Sequence, residues 1–274
     1  MNTETTSIFS NAEEINSSSN KTYKILKTLV SARGIKKHSL AIVSGNKIVH
    51  ELIENHKNII RTVLFSSRDD LSIYETGSIF TGLMECSDIV FTVLKNDLFR
   101  ELDILGTKKP LLIVEIPDYE KYDPDSFHEP VLPLVPFQDP VNVGAVVRTA
   151  AAFGIKKMML LKESAMPYHP KSIRASAAQV FNMDFIEGPS INDLGSINLP
   201  LVTLSGAGKN IDDFEFPDKF ALLAGIEGPG IPDNVPSDFT VSIKMQPEVE
   251  SLNAAISVSI ALYEWRRRNP KNII

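Results

Sequence analysis

The chain has 274 residues, a formal net charge of −6, 43% hydrophobic residues and a single cysteine. That length favours two domains over one, at ~100–200 residues each, and the apolar content suffices for a full core. One cysteine excludes a disulfide framework and cysteine-based zinc sites and fits a reducing compartment. No apolar run approaches the ~20 residues of a membrane span, and the N-terminus shows no basic targeting pattern, so we expect a cytoplasmic protein. The acidic excess sits in residues 1–20 and 116–134; the rest is close to neutral with local basic clusters, which leaves room for a polyanionic partner.

In chain order, residues 1–20 are rich in Ser, Thr, Asn and Glu without periodicity and read as a disordered tail. Residues 21–117 read as a compact α/β unit. It opens with a helix over 21–31 (Tyr23, Ile25, Leu26, Leu29, Val30), then a basic loop over 32–38 and a strand over 40–44. A helix over 47–56 and a strand over 59–65 follow, then a strand near 78–80, helices over 87–93 and 96–105, and a strand over 110–116. Residues 118–130 alternate Asp, Glu, Tyr and Pro with no apolar face and read as a linker.

From Val131 a second α/β unit begins and extends to 274. Strands are expected at 131–135, 157–161, 181–185, 201–204, 220–224 and 239–243, separated by helices. Such alternation favours a largely parallel sheet covered on both faces, with ligands gathering beyond the carboxyl ends of strands. The last helix, 254–265, is apolar at nearly every position and should be covered on more than one side, by a sheet and by a partner subunit.

Three stretches, each directly after an expected strand, carry polar residues in unusual company. Pro136–Ile155 reads PFQDPVNVGAVVRTAAAFGI: Asp139 or Asn142 can cap a helix from which Arg148 projects among small apolar residues. Leu222–Pro232 reads LLAGIEGPGIP, a glycine- and proline-rich loop whose backbone can approach a ligand closely. The third follows Gln246-Pro247-Glu248, where Ser251 or Asn253 can cap the final helix.

The pieces DPVNVGAVVRTAAAFG, GIEGPGIP and VESLNAAIS, in this order and spacing over roughly 131–268, resemble the three motifs of the SpoU family of the SPOUT superfamily, RNA ribose 2′-O-methyltransferases that use S-adenosylmethionine. The resemblance implies a trefoil-knotted C-terminal methyltransferase domain and an obligate homodimer, and it likens the smaller N-terminal unit to a ribosomal-protein-like substrate-recognition domain. By position, Asn142, Arg148, Glu227, Ser251 and Asn253 match the family's catalytic polar residues. Gly225, Ile226, Gly228, Ile243 and Leu252 fall where the family binds the cofactor. Lys171, Arg174 and Ser176 resemble a family stretch beside the site. Lys244, Pro247 and Ala178 depart from the family pattern, which usually has proline, glycine and glycine there.

The chemistry agrees. Methyl transfer needs a donor held in line with the ribose oxygen, and positioning alone supplies several kcal/mol. Arg148 is a fixed cation suited to a phosphate or a developing oxyanion, with Asn142, Glu227, Ser251 and Asn253 orienting it and the hydroxyl. Ser205–Asn210 looks like a phosphate loop but lacks its glycine and hydroxyl spacing, with Thr203 and Asn210 at the diagnostic positions. The five histidines show no metal-ligand spacing, so no metal is expected. Arg33, Lys36 and Lys37 are candidate RNA contacts, as are Lys171 and Arg174. The expected substrate is ribosomal RNA before transfer RNA. The alternatives are an RNA-binding protein of the same fold without catalysis, or a nucleotide-binding α/β module.

Overall fold

The computed structural model describes residues 12–67, 79–83, 86, 88–195, 197–226 and 230–270. The chain divides into two compact units, residues 1–118 with Tyr168–Arg174, and Tyr119–Pro167 with 175–274.

The first unit holds β1 (Glu13–Ile15), α1 (Lys21–Thr28), α2 (Ala32–His38), β2 (Leu40–Val43), α3 (Asn46–Asn55), β3 (Ile60–Phe65), β4 (Val90–Leu94), α4 (Asn96–Leu102) and β5 (Leu111–Glu115). Its mixed sheet runs β1-β4-β3-β5-β2. The strands β1, β4 and β3 are parallel, and β5 is antiparallel to both β3 and β2. Asn20 caps α1 through Tyr23 N, and Tyr23, fully buried, donates its hydroxyl to Glu101 Oε2 at 2.8 Å, tying α1 to α4. Burial first, then the Glu101 carboxylate, pushes that phenol above its usual range.

Several elements correct the sequence reading. Glu13–Ile15, assigned to a disordered tail, pairs with β4 and buries Ile15 completely enough to join the core. The basic segment 32–38, expected as a loop, is a helix capped by Ser31 through Gly34 N, with Gly34 and Ile35 inward. Gly34 lies so close to Thr28 that a β-carbon would sit 2.0 Å from its carbonyl oxygen, which explains a glycine inside a helix. The helix expected over 87–93 is instead strand β4, where β-branched Val90, Thr92 and Val93 lie between two partner strands. The strand expected near 78–80 gives way to a 3₁₀ turn over Ile79–Leu83.

The second unit contains β6 (Glu120–Lys121), β7 (Val131–Val135), α5 (Pro140–Ala152), β8 (Lys157–Leu160), β9 (Asp184–Glu187), β10 (Leu201–Asn210), β11 (Phe220–Ala224), β12 (Phe239–Ser242) and α7 (Ala254–Arg268); α6 (Pro170–Ala175) precedes β9 in the chain. Its seven strands run β12-β10-β11-β7-β8-β9-β6, and every pairing is parallel. The expected linker contributes β6 and buried Phe127 to this sheet and its core, because Tyr122 and Phe127 have apolar surface that only packing can shield. The strand expected over 181–185 starts later, after a 3₁₀ turn at Gln179–Asn182.

Strands β7 and β11 sit centrally and are buried at every position, as continuous apolar runs in a parallel sheet should be. Helix α5 starts at the Asp139 cap with Pro140 in its first turn, buries Val143, Val146, Val147 and Ala150, and stops where Gly154 adopts φ 82°. It packs beside α7, with Thr149 Oγ1 and Ser259 Oγ 3.0 Å apart. Among the described residues no helix is long and apolar enough to cross a membrane.

Candidate active site

Because β10, β11 and β12 are parallel neighbours, their carboxyl ends emerge together. A cleft of about 470 Å³ lies there, within the range of small-molecule sites. Four segments wall it: Leu204–Gly206 from β10, Ala224–Ile226 after β11, Val241 to Met245 along and after β12, and Glu250–Ala254 leading into α7.

The β10 wall depends on a slip in register. Leu204 and Lys209 both pair with Val241, so Ser205–Gly208 bulge out of the ladder beside the cleft. Gly208 makes this possible, since a β-carbon there would lie 2.5 Å from the backbone of Thr240 and Val241. Ser242 Oγ donates to Gly208 O at 2.9 Å and pins the bulge from β12.

The β11 wall is held by an antiparallel bridge. Ile226 N donates to Gly230 O and Gly230 N to Ile226 O, both at 3.0 Å. Gly225 sits against Gly230 so closely that a β-carbon would meet its carbonyl carbon at 2.5 Å. Glu227 and Gly228, two of the sequence-derived site residues, lie outside the described residues.

The fourth wall, Glu250–Ala254, ends in a cap that also reaches α5. Asn253 Oδ1 accepts from Ala255 N at 2.9 Å and Ile256 N at 3.2 Å, while its Nδ2 donates to Asn142 Oδ1 at 3.1 Å. Of the two caps the sequence allows, Asn253 therefore takes the helix and leaves exposed Ser251 lining the cleft. On α5, Asp139 rather than Asn142 caps the helix, accepting from Val141 N at 2.9 Å, which leaves Asn142 for this contact.

Of the sequence-derived residues, Gly225, Ile226, Ile243, Ser251, Leu252 and Asn253 line one cleft, and Asn142 joins it through Asn253. Arg148 does not line it. It stands exposed on α5 about one and a half turns beyond Asn142 and has no side-chain partner among the described residues. Its helical neighbours at i±3 and i±4 are Ala145, Ala151, Gly144 and Ala152, and Val141 stands at i−7; none is charged.

Lys171 and Arg174 are exposed on α6, whose inner side buries Ser172 and Ile173. His169 Nδ1 accepts from Lys171 N at 3.2 Å; burial first and the Lys171 charge second hold its pKa below the usual value. Ser176 is buried, and Ala177 and Ala178 both adopt left-handed φ, 50° and 68°, where the family stretch often has glycine at the second. Arg33, Lys36 and Lys37 are exposed on α2.

Sequence reasoning did not assign the β10 bulge to the site. Its signal is the Ser205–Gly208 run of small residues directly after an expected strand, whose only sequence resemblance is to a phosphate loop. Among the described residues no group of three or more His, Cys, Asp or Glu could hold a metal ion.

Residues 129–263 match the model described as the SpoU rRNA Methylase family. Ribosomal RNA small subunit methyltransferase G 2 of Syntrophobacter fumaroxidans is 40% identical over 93% of this chain, which spans only about half (49%) of that protein's length. The 23S rRNA (uridine(2479)-2′-O)-methyltransferase of Streptomyces viridochromogenes is 28% identical over 83% of this chain and 82% of its own. The crystal structure of the SpoU methyltransferase AviRb from Streptomyces viridochromogenes, in complex with AdoMet, superposes with a TM-score of 0.76 at 23% identity, covering 92% of this chain and 98% of that one. At that identity the likeness is one of fold.

Proposed function

We propose that this chain, whose residues 129–263 match the SpoU rRNA Methylase family, transfers a methyl group from S-adenosylmethionine to a ribose 2′-hydroxyl of RNA, ribosomal RNA before transfer RNA. The ribose reading leans on the Streptomyces viridochromogenes 23S rRNA enzyme, matched over most of its length, and not on the small-subunit enzyme, matched over about half.

One observation carries the reading: the Asn253–Asn142 hydrogen bond joins the wall of the strand-end cleft to the helix that bears Arg148. The cleft fits the cofactor's chemistry. Aliphatic Leu204, Ile226, Ile231, Ile243 and Leu252 suit an adenine ring, and Gly206 has open space where a β-carbon would stand. Gly225, Ile226, Gly228, Ile243 and Leu252 would hold S-adenosylmethionine, largely through backbone groups. When bound, it supplies an electrophilic methyl on sulfur. Arg148 neutralises the phosphate and the negative charge that develops on the ribose oxygen as its proton departs and the oxygen takes the methyl, releasing a proton and S-adenosylhomocysteine. Asn142 is oriented by Asn253, and Ser251 and Glu227 complete the polar set that aligns the hydroxyl.

The same reading carries three finer claims. The chain between β12 and α7 threads a trefoil knot. The N-terminal unit selects the RNA in the cytoplasm, with Arg33, Lys36, Lys37, Lys171 and Arg174 on phosphates. The protein is a homodimer in which Arg148 enters the partner's site; Val141, Ile256 and Tyr263, left 45%, 52% and 53% exposed, support a covered face that includes that arginine.

Incubating the protein with radiolabelled S-adenosylmethionine and ribosomal or transfer RNA tests the proposal. A 2′-O-methyl group removes the nucleophile that drives alkaline hydrolysis, so label should appear in alkali-stable dinucleotides. Label in the bases would overturn it. Lys244 and Pro247, in a second hollow adjoining the cleft, favour the non-catalytic alternative; RNA binding without S-adenosylmethionine binding in calorimetry would establish that one.

A further inference from the structure

A separate cleft of about 680 Å³ opens in the N-terminal unit, at the end of its sheet where β2 and β3 begin and β5 finishes. Its floor is aliphatic: Leu26, Leu40 and Ile113, with Ile25 at the mouth still 41% exposed. Its rim is polar, formed by His38, Ser39, Thr62, Arg61, Glu115 and Asp118.

Arg61 is held in an unusual way. It falls at the register shift between Ile60 and Thr62 in the β3–β5 ladder. There Nη1 donates to Asn58 O at 2.8 Å and Ile60 O at 3.1 Å, and Nη2 bonds the Glu115 carboxylate. Three acceptors take three of the five N–H groups and fix the plane of the guanidinium, and its charge is balanced by Glu115. So held, Arg61 offers the cleft a flat, rigid π face. That is a surface for stacking a planar ring and a poor one for gripping a phosphate.

The charge that would attract a nucleic acid stands just outside. Helix α2 runs directly into the rim at His38 and exposes Arg33 and Lys37, four residues apart on one face, neither with a partner among the described residues. Within the cleft, the carboxylates Glu115 and Asp118 disfavour phosphate but can accept from amino groups of a base edge.

Resting on the RNA-methylating reading above, we infer that this cleft receives one unstacked nucleobase of the substrate RNA, stacked on Arg61, with the flanking phosphates on Arg33 and Lys37. Recognition of single-stranded RNA commonly works by splaying a base onto an aromatic or guanidinium plane. The acceptors in the rim favour adenine or cytosine over uracil, which has no amino group.

The test is binding of fluorescent hexaribonucleotides of A, C or U to the full chain across a salt series. Arg61→Lys keeps the charge and the pairing with Glu115 but removes the planar face. It should weaken A6 at least five-fold without changing the salt slope, and U6 should bind wild type at least three-fold less tightly than A6. The double variant Arg33→Gln/Lys37→Gln should instead flatten the salt dependence for all three. Ile25→Glu, at an exposed helix position, keeps the readout available should Arg61→Lys unfold, and should weaken A6 similarly. Affinity for A6 within two-fold of wild type in either cleft variant overturns the inference, as does equal affinity for A6 and U6. Calorimetry with S-adenosylmethionine on the same wild-type sample separates the outcomes. Cofactor binding with an unaltered Arg61→Lys affinity sinks only the base site, whereas loss of cofactor binding by wild type sinks the methyltransferase reading.

Discussion

Asn253 Nδ2 donates to Asn142 Oδ1 across 3.1 Å while Asn253 Oδ1 holds the first turn of α7, so a single side chain caps a helix and orients a residue on another. The two jobs use different atoms and can be separated. Asn253→Asp retains the oxygen that accepts from Ala255 N and Ile256 N, and a carboxylate suits a helix N-terminus. It removes the donor to Asn142 and sets a negative oxygen against Oδ1, so the Asn142 amide must turn. Melting should shift by less than about 0.5 kcal/mol, while single-turnover methyl transfer should fall at least ten-fold. Asn253→Ala loses both roles and should cost about 1 kcal/mol in addition. Wild-type turnover in the aspartate variant would reduce Asn253 to a cap.

The cleft walls make a second, sterically sharp prediction about three glycines. A β-carbon on Gly225 would meet Gly230 C at 2.5 Å and its Cα at 2.6 Å, and neither backbone atom can move aside by changing rotamer. Gly225→Ala should break the Ile226–Gly230 bridge and weaken S-adenosylmethionine binding at least ten-fold in calorimetry, with the fold retained. Gly208→Ala should push β12 off β10 and cost roughly 2–3 kcal/mol in chemical denaturation, as overpacking does. Gly195→Ala, outside the cleft, meets nothing within 4 Å and serves as the control. Equal cofactor affinity in the Gly225 and Gly195 variants would mean the Ile226–Gly230 bridge is not part of the binding wall.

How much of this could be read from sequence varies by element, for physical reasons. Val131–Val135 and Phe220–Ala224 were legible because buried parallel strands need apolar residues on both faces. Helix α2 was not, since its seven residues bury only Gly34 and Ile35 and show no apolar period. Strand β4 was read as a helix because a short apolar run carries no decisive periodicity, and only pairing with β1 and β3 settles it. The β10 bulge was illegible because its register is set by where Val241 stands on another strand. At the site, the motifs indicated which residues to expect, but Ser251 and Asn253 were equally good caps on paper, as were Asp139 and Asn142. Geometry alone shows which of each pair is the cap, Asn253 and Asp139.

Arg148 and the exposed side chains around it yield a third prediction. Arg148→Ala should lower methyl transfer at least a hundred-fold while leaving melting and cofactor affinity near wild type, because the side chain is exposed and has no polar partner among the described residues. Ile256, 52% exposed, occupies the first turn of α7, where an acid is favourable for the helix. Ile256→Asp should therefore leave the monomer folded yet convert a dimer to monomers in light scattering. A dimer that persists in that variant would show that this face is not the interface.

The C-terminal end of α7 supplies a pH prediction. Glu264 accepts from Arg267 Nη2 at 2.8 Å and Arg268 Nη2 at 3.3 Å, and its side chain is only 15% exposed. The Arg267 hydrogen bond first, then the nearby guanidinium charges, outweigh burial and hold this carboxyl below its usual value of 4.5. A depressed folded pKa means the unfolded chain binds its proton at higher pH. The stabilisation is therefore complete above about pH 4.5 and is lost as pH falls through the folded value. Arg268 also donates to the carbonyls of Phe214, Ile211 and Asp212 at 2.6, 2.9 and 3.0 Å, so Glu264 steadies a side chain that anchors the helix end to the chain before β11. Glu264→Gln keeps the size and can still accept, but it cannot hold the charge. Melting temperatures of wild type and variant, measured from neutral into acid pH, should differ by a few degrees at neutral pH and converge as pH falls through the folded value. A gap that stays constant over the whole range would assign the effect to packing instead of the ion pair.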